Sequence, residues 1–66
     1  MDRRRFGRTL RRLRILKGLT QAALAERVGI ARQYLLQLEL GRNEPTLGLA
    51  LKLARQLGVT LNDLVK

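Results

Sequence analysis

The sequence predicts an all-α domain of five short helices, on three observations. Apolar residues recur at helical spacing along most of the chain. No stretch alternates in the two-residue rhythm of a strand. Gly18, Gly29, Gly41 and Gly58 each fall where a periodic run ends. At 66 residues there is room for one core, so residues 1–66 read as a single domain. A chain of this size buries only about 60% of its unfolded surface, which leaves a thin stability margin. It has no cysteine and no histidine, hence no disulfide and none of the usual zinc ligands. No metal and no cofactor is expected, and leucine packing must supply the stability.

Each element has its own signals. Phe6, Leu10, Leu13 and Leu16 give a first helix one apolar stripe, with Arg4, Arg5, Arg8, Arg11 and Arg12 mostly outside it. Thr20 suits the N-cap of a second helix whose Leu24, Ala25 and Val28 face inward. Gly29 breaks the chain, and the pattern resumes near Ala31 with Leu35 and Leu38 until Gly41. Arg42 to Pro45 reads as a loop. Thr46 caps a fourth helix with Leu47, Ala50, Leu53, Ala54 and Leu57 on one side, weakened at Gly48 by roughly 1 kcal/mol relative to alanine. Thr60 and Asp63 make a capping box for a last turn through Leu64 and Val65.

The charge narrows the function. Fourteen Lys and Arg stand against five Asp and Glu, a net +9, which calls for a polyanionic partner, nucleic acid or an acidic membrane surface. Eleven of the fourteen are arginine, the better shape for paired contacts to phosphate or guanine. No apolar run reaches the ~20 residues of a membrane span, and no signal peptide opens the chain, so a cytoplasmic protein without a membrane partner is expected. Five scattered carboxylates and no His or Cys make no catalytic constellation, which argues against an enzyme.

Eight of the basic residues lie between Arg3 and Lys17. A basic segment over residues 1–5, with Arg3, Arg4 and Arg5, reads as an arm along phosphates or into a minor groove. With Arg8 included, it reads instead as a helix face adding salt-dependent, non-specific attraction. A membrane-lying helix is a third reading, disfavoured because the core needs the apolar stripe. The helix face is preferred.

Two short helices around a glycine turn, from about residue 20 to 39, meet the requirement of a helix-turn-helix. Ala25 is small enough for the two helices to approach, and Ile30 can plug their corner. The outer face of the third helix is then free to enter a major groove.

From about Leu13 to Leu64 the chain resembles the helix-turn-helix domains of the phage repressors, Cro and related bacterial regulators. The resemblance rests on Leu13-Arg14, Gly18-Leu19-Thr20-Gln21, Leu24-Ala25, Gly29-Ile30, Leu38-Glu39 and Gly41. It continues through Pro45-Thr46-Leu47, Leu53-Ala54 and Leu57-Gly58-Val59-Thr60, in order and at the family's spacing. It implies a lambda-repressor-like fold and a bacterial or phage-encoded transcriptional regulator, a repressor or small controller protein. The implied partners are double-stranded operator DNA, palindromic in sequence, and a second copy in a homodimer. Arg32, Gln33 and Gln37 match the family's base-contacting positions, and their chemistry suits guanine and adenine edges. Gln21, Arg42 and Asn43 match phosphate-contacting positions. Arg14 and Glu39 match an internal ion pair tying the first helix to the end of the third.

Departures from the family mark what the resemblance leaves open. Ala31 stands where Ser or Thr usually caps the third helix, a loss of about 1 kcal/mol. Leu36 and Leu49 are apolar where the family is commonly polar, and Leu40 lies four residues after Leu36, so the two share a face; scattered surface leucines are ordinary, but the three are also candidates for a dimer or partner surface. That surface supports an alternative function, an antitoxin or adaptor subunit that binds a protein partner and autoregulates its operon.

Overall fold

The computed structural model describes residues 1–66 as five helices and no strand: α1 (Arg3–Leu16), α2 (Gln21–Val28), α3 (Arg32–Glu39), α4 (Leu47–Leu57) and α5 (Leu61–Val65). Short polar caps start them. Asp2 accepts from the amides of Arg4 and Arg5 at 2.9 and 3.2 Å. Thr20 accepts from Ala23 and Thr46 from Leu49, while Thr60 and Asp63 exchange bonds in a reciprocal box. These backbone amides, Arg5 first for Asp2 and Thr60 for Asp63, hold both aspartates below the ordinary value of 3.8. α3 alone has no side-chain cap, since Ala31 has nothing to offer.

The first four helices end alike. At Gly29 (φ 76°) the glycine amide bonds Glu26 O at 3.2 Å and the Ile30 amide bonds Ala25 O at 3.0 Å. That closes the last turn through a left-handed residue, a conformation that would strain any side chain. The same pair of bonds follows Leu16, Glu39 and Leu57, so each helix turns sharply into the next.

The core is Phe6 and Leu10 of α1, Leu24, Ala25 and Val28 of α2, Leu35 and Leu38 of α3, Leu49, Leu53, Ala54 and Leu57 of α4, and Leu64 of α5. Removing a fully buried side chain such as Phe6 would cost about 3–5 kcal/mol. α1 packs on α3 and α5, α2 on α3 and α4, and α4 on α5. The helix-turn-helix is thus one wall of a molecule 25 × 23 × 20 Å across. Gly7 makes the closest approach. A Cβ there would lie 2.5 Å from Glu39 O and 2.6 Å from Leu38 O, so α1 rests directly on the backbone at the end of α3.

Three apolar assignments change. Leu16 is exposed at the end of α1, about 120° round the helix from the centre of its buried side. Leu47 is exposed, about a quarter-turn from the buried side of α4. Leu49, expected on a partner surface, is only 8% exposed and belongs to the core, because the helical period sets it beside Leu53 and Ala50. The basic segment 1–5 is not a separate arm either: Arg3, Arg4 and Arg5 form the first turn of α1, started by the Asp2 cap.

Candidate nucleic-acid interface

α3 presents its outer face because its inner face is consumed. Leu35 and Leu38 are fully buried and Glu39 is nearly so. At about 100° per residue, Gln33 and Gln37 fall opposite them, with Leu36 and Leu40 on the same side and Arg32 at the edge. Arg32 and Gln33 are exposed, whereas Gln37 and Leu36 are half-buried and Leu40 is exposed. The structure therefore brings Arg32, Gln33 and Gln37 together on one convex strip. It also places Leu36 and Leu40 within that strip and not on a separate surface, which their shared spacing alone left undecided.

The strip is flanked by groups suited to phosphate. α2 begins at the capped Thr20, and the first amides of a helix have no partner within it. Beyond the far end of α3, Arg42 and Asn43 are exposed on the loop, and the Arg42 amide is fixed to Gln37 O at 3.0 Å. Gly41 begins that loop under Arg4 of α1: a Cβ on it would lie 3.0 Å from Arg4 Cα.

Behind the strip lies a buried polar network. Arg14 Nε donates to Glu39 Oε2 at 2.6 Å and Arg14 Nη2 to Oε1 at 3.1 Å, a two-pronged pairing. Arg14 Nη1 donates to Leu19 O at 2.9 Å, just before α2. Gln21 Nε2 donates to Glu39 Oε1 at 3.0 Å. One carboxylate so joins α1, the α1–α2 turn, α2 and α3. Gln21 was expected to be turned towards phosphate. Here its amide is turned inward, with one N–H taken by Glu39 and a second left over.

Sequence reasoning missed Asp2, Gly7 and the Gln21–Glu39 bond. Asp before a periodic run is an N-cap signal, and a glycine inside a helical stripe marks close backbone approach, so the first two were readable. The third joins residues eighteen positions apart, and no local pattern encodes it.

With this geometry in place, the comparisons with known proteins agree. The helix-turn-helix family HTH_3 matches residues 10–64. The uncharacterized HTH-type transcriptional regulator y4dJ of Sinorhizobium fredii is 46% identical over 66 residues, covering 98% of this chain and 86% of that protein. The crystal structure of the restriction-modification controller protein C.AhdI from Aeromonas hydrophila superposes with a TM-score of 0.91 at 40% identity, over 96% of both chains. That of SinR, a master regulator for biofilm formation, in complex with DNA gives 0.87 at 27% identity over 92% of this chain and 98% of that one. No helix here is long and apolar enough to cross a membrane. The chain belongs to the helix-turn-helix family of DNA-binding transcriptional regulators.

Proposed function

We propose that this regulator acts as a two-fold dimer on a palindromic operator, as a repressor or small controller protein, with α3 in the major groove. The observation that carries the reading is the outward strip of α3, which is held by the core and not consumed by it. Arg32, Gln33 and Gln37 read base edges, guanine for the arginine and adenine for the glutamines. Leu36, lying among them, contacts thymine methyl groups, the one apolar feature of the groove. The start of α2, the spare N–H of Gln21, and Arg42 and Asn43 hold the flanking phosphates.

Self-association is assigned to a different surface from the one the sequence suggested. Leu47 and Leu51 form an exposed ridge on α4. Beside it Met1, Leu61 and Val65 line an apolar hollow with Leu47 and Ala50. A two-fold contact between two such faces would have to set the reading helices about 34 Å apart, one DNA turn. The likeness to a restriction-modification controller protein over 96% of both chains supports the controller reading.

The test is selection from random duplexes, followed by titration across a salt series. Selected sites should resist competition by unselected DNA. Gln33→Ala should relax base preference, while Arg8→Ala weakens all duplexes equally if it acts at all. Equal behaviour of the two variants sinks the base-reading assignment.

A further inference from the structure

The outer side of α1 carries a basic ridge that operator reading does not use. Gly7 and Arg14 mark the side of α1 turned to α3. Arg5 and Arg12 each stand two positions away, about 160° round the helix, and so point away from the reading strip. Arg8 lies between them, and all three are exposed. No acidic residue occurs from Arg3 to Ala25; the capping carboxylate of Asp2 offsets part of the charge of Arg5 and Arg8 but pairs directly with neither, and leaves Arg12 untouched. Two open gaps between these side chains run along it, lined by residues of α1 alone. The second ends on Ile15 and Leu16, which are 50% and 76% exposed.

We infer that this ridge is a docking surface for an acidic amphipathic helix of another protein. Charge and apolar surface together decide the occupant. A phosphate backbone would satisfy the arginines, but it would leave Ile15 and Leu16 against charge. A bilayer would take the leucine, but the helix buries its main apolar stripe in the core and has only this one apolar end to insert. An acidic helix matches both. Carboxylates at i, i+3 and i+7 meet Arg5, Arg8 and Arg12 as paired guanidinium contacts, and an apolar end covers Ile15 and Leu16. The inference rests on the operator reading only for which side of the molecule the DNA occupies.

The test uses the full chain and a labelled synthetic helix of about four turns, with glutamates at that spacing and two leucines at one end, read by fluorescence anisotropy at physiological salt. Arg8→Glu with Arg12→Glu should weaken the peptide about tenfold or more; any loss of duplex affinity should fall equally on selected and unselected DNA, leaving the preference for the selected site within about twofold. Arg32→Glu with Arg42→Glu, the same charge change, should do the reverse. Leu16→Ser should weaken the peptide at constant charge. Circular dichroism of each variant confirms that it folds. The inference is overturned if the peptide does not bind or if a scrambled peptide of the same composition binds equally. It is overturned also if the two charge pairs weaken the peptide alike, if the Arg8–Arg12 pair is the one that abolishes duplex binding, or if phosphatidylserine vesicles are bound in its place. Loss of duplex preference with peptide discrimination intact would reject the operator reading and leave the ridge standing.

Discussion

The side chains of Glu39 and Arg14 are 2% and 10% exposed, so this ion pair is out of water. Its carboxylate also receives Gln21. Breaking a buried pair on one side strands the other charge, which costs about 3–5 kcal/mol. For a domain of this size that is a large share of the total, and each kcal/mol shifts Tm by roughly 4–8 °C. Glu39→Ala should therefore lower Tm by at least about 12 °C in a calorimetric melt. An unchanged Tm would mean that the pair contributes nothing to the scaffold. The resemblance to known repressors pointed to this pair before any geometry. It could not show that Gln21 shares the carboxylate, because that contact depends on how α2 is brought against α3.

At the scale of elements, the boundaries were the legible part. Thr20, Thr46 and the Thr60–Asp63 box start helices where their side-chain chemistry says they should, and Gly29 and Gly58 end the first two of these. Faces were less legible. α4 has leucines at 47, 49, 51, 53 and 57, and periodicity alone does not say which of them the neighbouring helices will cover. The structure covers Leu49, Leu53 and Leu57, leaving Leu47 and Leu51 in solvent. The α1–α3 contact is set by Gly7, whose neighbours are backbone atoms that cannot swing aside. Gly7→Ala must separate the two helices, and its expected cost is about 2–3 kcal/mol or more, measured by urea unfolding. A neutral or stabilising Gly7→Ala, the ordinary result at an open helix position, would show that the helices are not this close.

The whole molecule carries its proposed contact surfaces on different sides. The strip on α3 faces one way, the arginine ridge on α1 another, and the apolar ridge of α4 with the hollow beside α5 makes a third surface. A net charge of +9 read from composition cannot distinguish these, because it sums over all faces. Leu47→Glu with Leu51→Glu should convert a dimer to a monomer in sedimentation equilibrium, while Leu40→Glu leaves the mass unchanged. A wild-type monomer at high concentration, or dissociation by Leu40→Glu alone, would move the interface elsewhere.

The two ends of α3 are held very differently. Its C-terminal end is clamped between the Gly7 contact and the Arg14–Glu39 pair, whereas its N-terminal end, which carries the proposed base readers Arg32 and Gln33, starts at an uncapped Ala31. Local opening begins at the least-held end. The first turn should then exchange its amide hydrogens well before the last, and become ordered only when DNA seats against it. Ordering of that kind is an entropic cost charged to every binding event. Ala31→Ser, which supplies the missing cap, should add about 1 kcal/mol of stability and tighten duplex binding through a slower off-rate, without any new contact to a base.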